Sequence, residues 1–192
     1  WESWDHFSVT DNTYINLTAN QIPFIHTNAI DIDYDGHFLI SSRNLDEITK
    51  IHRTSGDIIW RWGGSQNQFE FVNDYPFTHQ HCIKSLGDNK YLLFDNRNFS
   101  ADYIGQNTSR GVEYQLDLDA MTATKTWEFY HPDSLFSPSI SSVQRLENGN
   151  TLINFGNLSI AERGAVITEV TPQNEIVFEL ELAPPSSGNS SN

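Results

Sequence analysis

The sequence contains a single cysteine, Cys82, so an internal disulfide is excluded and the redox compartment stays open. No apolar run approaches the roughly 18 residues that a membrane-spanning helix needs, and no secretory signal peptide is visible. Basic residues are few: 11 Lys and Arg stand against 25 Asp and Glu, a formal net charge of −14. This balance argues against nucleic acid or anionic membranes as partners. An anionic substrate would need locally placed cations or hydrogen-bond donors.

Several catalytic and cofactor motifs are also absent. The sequence has no Gly-rich phosphate loop, no Gly-x-Ser-x-Gly elbow and no Cys/His set with zinc spacing, so we expect neither a cofactor nor a bound metal. The run Asp31-x-Asp33-x-Asp35-Gly36 matches the start of a calcium loop, but its twelfth position is Ser42 rather than Glu. It fits equally well the polar face of a strand entering a hairpin, so calcium binding stays open.

What the sequence does contain is a repeat. Three segments align on an apolar pair, DGHFLISSR, DNKYLLFDN and NGNTLINFG, with offsets of 53 and 60 residues. Each opens with a dipeptide typical of hairpin turns, Asp35-Gly36, Asp88-Asn89 or Asn148-Gly149. Strand-like runs flank each segment, and no helix pattern is convincing. The repeat therefore predicts four short strands in a meander, three times over.

Four antiparallel strands per unit of about 40 to 60 residues are typical of propeller blades. We predict an all-β chain that forms a partial β-propeller, with three four-stranded blades at 26–64, 78–131 and 138–182. Residues 1–25 would be the end of a preceding blade and a connector, and 183–192 a flexible tail or linker. Because propellers typically have about 4 to 8 blades, we expect the N-terminal blades of a six-bladed ring to be missing. A β-sandwich is the alternative, but it does not explain the repeat.

Candidate site residues follow from the innermost strands, which line the channel of a propeller. The alignment predicts that His26 and His81 occupy equivalent positions in two blades and converge on the axis. Asn28 would share a strand face with His26, and Arg43 ends a strand in a tight polar turn. An imidazole, an amide and a guanidinium around one point form a plausible oxyanion site. Alternatively, the histidines are structural and Arg43 pairs with a surface acid.

Five motifs in a fixed order carry a resemblance to a known family. They are His-x-Asn at 26–28, Ser-Ser-Arg at 41–43, Trp-Arg-x-Gly-Gly at 60–64, Gln-His at 80–81 and Leu-Phe-Asp-Asn at 93–96. Together they resemble the arylsulfotransferases, β-propeller enzymes, and in particular their secreted bacterial and fungal branch. The resemblance runs from about Trp4 to Leu182.

The resemblance implies a function and roles for residues. Such enzymes move a sulfuryl group from an aryl sulfate to a phenol without a nucleotide sulfate donor (PAPS-independent transfer), through a transiently sulfated histidine. The Gln-His motif places that nucleophile at His81. The other motifs give catalytic sulfate-binding roles to His26 and Arg43, and substrate-binding roles to Asn28 and Asn96. Unperturbed imidazole is a competent nucleophile near neutral pH, since its pKa is about 6.5.

The sequence departs from the family at two points. Cys82 stands where the family usually has an acid after Gln-His, and a further histidine from an earlier blade has no counterpart here. The resemblance implies aryl sulfates and phenols as partners, together with the missing blades of the same protein, and it leaves oligomerisation open. It also implies a periplasmic or extracellular location. A non-catalytic propeller that binds an anionic or carbohydrate ligand is the alternative function.

Overall fold

The structure is a computed structural model that describes residues 1–12, 14, 16–99, 108–158 and 163–184. Alternating apolar residues and turn dipeptides produce strands where the repeat predicts them, and these strands form three sheets. No α-helix occurs in these ranges; the helical elements there are three-residue 3₁₀ turns. The predicted all-β class is confirmed, whereas the number of blades in a complete ring stays a prediction.

Each sheet is largely an antiparallel meander, with its strands in chain order. The strands of the first sheet are β1 (Thr27–Ile32), β2 (Phe38–Ser42), β3 (Glu47–Ile51) and β4 (Ile58–Gly63). The strands of the second are β5 (Glu70–Val72), β6 (His81–Gly87), β7 (Lys90–Asp95), β8 (Arg110–Asp117) and β9 (Thr122–Tyr130). The strands of the third are β10 (Ser142–Arg145), β11 (Thr151–Phe155), β12 (Ala165–Val170) and β13 (Ile176–Leu182).

The second sheet differs from the predicted four strands. The short strand β5 adds a fifth, and it pairs in parallel with β9, the outer strand of the meander. Phe71 of β5 also packs against the core between the first two sheets. A strand of three residues is too short for apolar and polar residues to alternate recognisably, so the sequence indicates only a connection at β5.

Two apolar clusters hold the sheets face to face. The first fills the space between the first and second sheets, and Trp62 lies at its centre with Phe77 and Tyr114 against its ring. The second cluster joins the second and third sheets, where Phe94 packs edge-on against Phe155. In consequence the inner strands β1, β6 and β10 lie side by side, and the residues at their ends face a common region.

The Trp62 side chain is fully buried, so its removal tests this packing. We expect Trp62→Ala to lower the free energy of unfolding by about 3–5 kcal/mol, because it empties a large volume between two sheets. Urea denaturation followed by circular dichroism would measure the change. The matched control is Trp4→Ala, whose ring is 68% exposed and should cost less than about 1 kcal/mol. Equal losses for the two variants would contradict the packing.

Candidate active site

His81 is the first residue of β6, and its imidazole is buried. Its Nδ1 lies 2.7 Å from Oδ1 of Asn96 and 3.1 Å from the carbonyl oxygen of His79. Both partners accept hydrogen bonds, so Nδ1 carries the proton and Nε2 keeps its lone pair. Nε2 accepts the backbone N–H of Ile140 at 3.2 Å. The imidazole is therefore fixed in the tautomer that leaves Nε2 as the nucleophilic atom.

The surroundings of His81 favour its neutral form. Burial lowers the pKa of the imidazole below its ordinary value, and the positive charge of Arg43 and the nearby His26 lower it further. The hydrogen bonds to Asn96 and to the His79 carbonyl act in the opposite direction, but the net shift is downward. A histidine with a lowered pKa is unprotonated at neutral pH, which a nucleophile requires.

His26 and Arg43 are held together by backbone. The Arg43 N–H donates to the His26 carbonyl at 3.0 Å, immediately before β1 and after β2. His26 is exposed at the surface, and its pKa is lowered by partial burial, by Arg43 and by His79. The positive charge of Arg43 lowers the pKa of both His26 and His81, so the structure places the guanidinium near both of these predicted residues.

The Arg43 guanidinium is half-buried and points its donors at oxygen atoms. Nη1 donates to Oδ1 of Asn44 and Nη2 to the carbonyl of Pro138, each at 3.1 Å. Its Nε is buried and makes no hydrogen bond with any residue in the described part of the chain. Burial lowers the pKa of Arg43, but a guanidinium stays charged throughout the physiological range. An oxyanion at this position would meet a fixed positive charge.

Asn28 and Asn96 have different environments. Asn28 Nδ2 donates to the Gln80 carbonyl at 2.7 Å, which ties β1 to the start of β6. Its Oδ1 is buried and has no hydrogen-bond partner within the described ranges. Asn96 follows β7, is fully buried, and donates through Nδ2 to the carbonyls of Ser137 at 2.7 Å and Ile140 at 3.2 Å. Asn96 is thus the residue in direct contact with His81, and Asn28 connects the two inner strands.

Backbone groups of residues 137–141 occupy the donors of this site. Carbonyls of this segment accept from Arg43 Nη2 and from Asn96 Nδ2, and one of its N–H groups donates to His81 Nε2. Ile140 and Ser141 have positive φ angles of 56° and 87°. A left-handed conformation is costly for a β-branched residue such as Ile140. A group that bound at Nε2 of His81 would have to replace the Ile140 N–H.

The predicted equivalence of His26 and His81 needs a correction. His26 and His79 both have left-handed backbones, with φ of 52° and 56°. They lie 53 residues apart, which is also the offset between Leu39 and Leu92 in the repeat. His79 is therefore the counterpart of His26, and His81 lies two residues further on, at the position of Asn28. The alignment missed this shift because it matched the two histidines by residue type and not by the 53-residue offset of the repeat.

Some contacts of the site were not predicted. His79 supplies the carbonyl that accepts from His81, and Asp46 Oδ1 accepts the His79 N–H at 2.6 Å. The only signal for His79 was its place beside the Gln-His motif. The segment 137–141 gave no signal at all, because it acts through backbone atoms that any sequence provides.

The Gly-Gly pair of the Trp-Arg-x-Gly-Gly motif also supports the site. A Cβ at Gly63 would collide with the carbonyl of Asp46, and one at Gly64 with the carbonyl of Leu45. Both glycines have positive φ as well. These two residues let the end of β4 pack against the turn Arg43–Leu45, which carries the candidate guanidinium.

The acidic run at the first hairpin is engaged with protein groups. Lys50 Nζ lies 2.6 Å from carboxylate oxygens of both Asp33 and Asp35. Asp31 Oδ2 accepts the Ser85 N–H at 2.9 Å. Among the residues that the structure describes, no group of three His, Cys, Asp or Glu side chains is arranged to hold a metal ion. The run therefore contacts the second sheet through Ser85, whereas its ion pairs with Lys50 of β3 lie within the first sheet.

A known protein family matches most of this chain. The sequence pattern of the family described as Arylsulfotransferase (ASST) matches residues 3–189. The chain belongs to the arylsulfotransferase family. This membership confirms the resemblance drawn from the five motifs. No curated protein matches the chain in sequence.

Two solved structures are similar to part of this chain. The PQQ-bound aldose sugar dehydrogenase from Streptomyces coelicolor matches 78% of this chain and 45% of its own, with 12% identity and a TM-score of 0.50. A catalytically inactive virginiamycin B lyase from Staphylococcus aureus with quinupristin matches 85% of this chain and 43% of its own, with 16% identity and a TM-score of 0.48. The dehydrogenase supports a propeller-like β fold. The chain spans less than half the length of either structure.

The described residues include no helix of the length and apolar character needed to cross a bilayer.

Arg43 offers a test of the electrostatics around His81. We expect Arg43→Gln to raise the pKa of His81, because the positive charge of Arg43 lowers it. An NMR titration of the histidine ring signals would measure the change. Arg53→Gln removes the same charge from a side chain that packs on Phe38 and should leave the His81 pKa unchanged. A His81 pKa that stays constant in Arg43→Gln would contradict the proposed proximity.

Asn96 offers a test of the tautomer. Asn96→Ala removes the Oδ1 acceptor and leaves buried groups of His81, Ser137 and Ile140 without their partner. We expect a loss of about 2 kcal/mol or more in stability and a weaker preference for the Nδ1-protonated tautomer, which the His79 carbonyl and the Ile140 N–H then select alone, read from the ring ¹⁵N shifts. The exposed Asn20→Ala should change stability by less than about 0.5 kcal/mol. An unaltered tautomer in Asn96→Ala would show that Asn96 does not orient the ring.

Proposed function

We propose that this chain carries the nucleophile and part of the anion-binding site of a PAPS-independent sulfotransferase. In this proposal His81 attacks the sulfur of an aryl sulfate, and a phenol then takes the sulfuryl group. The observation that carries the proposal is the state of His81, whose Nδ1 proton is fixed by Asn96 and whose pKa is lowered. Family membership supports the reaction class.

The reaction would proceed in two steps, through a sulfated His81. His81 Nε2 forms a bond to sulfur while the S–O bond to the aryl group breaks, and the released phenolate takes a proton. The oxygen of an acceptor phenol next bonds to sulfur, its proton leaves, and the N–S bond returns its electron pair to His81. Charge on the peripheral sulfuryl oxygens would face Arg43 and the Asn96 amide, which already bind carbonyl oxygens at this point.

The positive charge of Arg43 also explains how an acidic chain would handle a sulfate ester. The net charge of −14 opposes the approach of anions. Because the guanidinium is half-buried, solvent screens its charge less than that of an exposed arginine. We further propose a periplasmic or extracellular location, aryl sulfates and phenols as substrates, and additional blades of the same protein as partners.

One observation favours a second candidate function, a non-catalytic module that binds an anionic or carbohydrate ligand. Ile140 N–H already satisfies His81 Nε2, so the lone pair has a partner without any substrate. In a binding module the same donors would hold a ligand without breaking a bond. The two functions differ in whether His81 becomes covalently sulfated.

The nucleophile is tested with 4-nitrophenyl sulfate and a phenol acceptor. We expect nitrophenol release from the wild type and its loss in His81→Ala, because no other group replaces the attacking nitrogen. In the acid range kcat/KM should rise with pH and level off, with a midpoint below the ordinary imidazole value of about 6.5, because the pKa of His81 is lowered. Mass spectrometry of acid-free digests should find one SO₃ group on the peptide that contains His81.

The matched control is His37→Ala, at the far end of the first hairpin, which should keep full activity. Release that persists undiminished in His81→Ala would exclude this nucleophile. Tight binding of the sulfate ester without release or sulfation would favour the binding module.

A further inference from the structure

A cavity of about 280 Å³ lies between the N-terminal segment and the first two sheets. We propose that it binds the aromatic ring of the phenolic substrate, with the rings of Tyr14 and His79 as two of its walls. The inference rests on the proposed sulfuryl transfer and names the place of the ring in that reaction.

The position of the cavity connects it to the candidate site. Its lining includes Pro23, Asn44 and His79. Pro23 lies three residues before His26, Asn44 directly follows Arg43, and His79 lies two residues before His81. The side chains of Asn44 and Arg43 are hydrogen-bonded at 3.1 Å, and the charge of His79 affects the pKa of His26. Each of the three segments that carry the candidate residues thus contributes a wall to the cavity.

The size and lining of the cavity suit a single neutral ring. Pockets that bind drug-sized ligands have volumes of about 300–1,000 Å³, so a cavity of about 280 Å³ suits a smaller molecule. Ala19, Ile22 and Pro23 provide apolar surface, and no Lys, Arg, Asp or Glu is among its described lining residues. A sulfate group in the cavity would have no cation beside it. The ring therefore belongs in the cavity, and the sulfuryl group belongs at Arg43.

His79 gives the cavity a polar wall. Its side chain is only 6% exposed. Nδ1 lies 3.1 Å from Asp46 Oδ1, yet it makes no hydrogen bond with any group in the described ranges. The hydroxyl of a phenol is a small group that both donates and accepts, so it would satisfy an imidazole in either tautomer.

One carboxylate fixes both aromatic walls. Asp46 Oδ2 accepts the Tyr14 hydroxyl at 2.6 Å, whereas Oδ1 accepts the backbone N–H of His79 at 2.6 Å and lies 3.1 Å from the Nδ1 of its ring. The two rings lie 4.9 Å apart between centroids, at an angle of 57°. Walls that are already held in place lose little conformational entropy when a ligand binds. Aromatic neighbours at such distances favour a further ring by edge and face contacts.

Phenol binding to the chain tests the proposal without reference to turnover. Histidine-labelled protein is titrated with phenol, and with cyclohexanol as the non-aromatic counterpart, while the ring signals are followed by NMR. We expect saturable shifts of the His79 signals with phenol and none with cyclohexanol. Ala19→Phe fills the cavity and should raise the Kd for phenol about tenfold or more.

The neighbouring variant Asn20→Phe adds the same ring outside the lining and should keep the wild-type Kd. Should Ala19→Phe lose its cooperative unfolding transition, Gln21→Trp narrows the same cavity from another lining position. Absence of saturable His79 shifts, or an unchanged Kd in the folded filling variant, would overturn the proposal.

The outcomes separate this proposal from the proposed function. His81→Ala should leave the Kd for phenol unchanged, because His81 does not line the cavity. Phenol binding at His79 without nitrophenol release from 4-nitrophenyl sulfate would refute sulfuryl transfer and leave the ring site in place. Nitrophenol release without any His79 shift would refute the ring site alone.

Discussion

The side-chain amide of Asn96 is the contact on which the candidate site depends. Its oxygen accepts from His81, and its nitrogen donates to carbonyls of Ser137 and Ile140. One buried group therefore fixes both the imidazole and the segment that covers it. An amide is the side chain that can do both, since it combines an acceptor and two donors. An aspartate at this position would accept the imidazole proton but would repel the two carbonyls.

The position of Asn96 is in turn set by the residue before it. Asp95 is buried in an ion pair with Arg110, at 3.0 Å, and its Oδ1 accepts the backbone N–H of Thr78 and of Arg97. Removing one partner of a buried ion pair is strongly destabilising, so such pairs hold their surroundings firmly. The Asp and the Asn of the Leu-Phe-Asp-Asn motif therefore have different roles. Asp95 joins β7 to the residues before β6, and Asn96 uses the resulting position to hold His81.

Much of the fold was predictable because it depends on local signals. Alternation and turn dipeptides located the four strands of each meander. β5 was missed because a three-residue strand has no measurable period. The alignment of His26 with His81 was wrong by two residues because it matched residue types and not the 53-residue offset of the repeat. In contrast, the offset of 53 residues did identify the true counterparts, His26 and His79, once their shared left-handed backbone was known.

The candidate site was predictable only in its side chains. The motifs named His26, Arg43, His81 and Asn96. The structure joins Arg43 to His26 by a backbone hydrogen bond, places the charge of Arg43 near both histidines, and brings Asn96 into contact with His81. The sequence could not show that residues 137–141 occupy their donors. That segment contributes carbonyls and one N–H, which are common to every residue, and its strained backbone at Ile140 depends on the packing of the third sheet.

The repeat also shows which side chains on the outer face of the third sheet are unusually exposed. Leu39, Leu92 and Leu152 occupy the same repeat position. Leu39 is fully buried against the second sheet, and Leu92 is fully buried against the third. Leu152 is only half-buried, and Phe178 and Leu180 on the same face are 50% and 42% exposed.

Leu39 and Leu92 therefore each pack against a neighbouring sheet, whereas Leu152 has no neighbouring sheet in the described part of the chain. An apolar face of this kind is typical of an interface rather than of a solvated surface. The outer face of the third sheet has the side chains that an additional blade would bury, which is the physical ground for expecting a larger ring. A larger ring would also account for the position of the candidate site. His81 and Arg43 lie at the inner ends of their sheets, and a ring would arrange those ends around one axis.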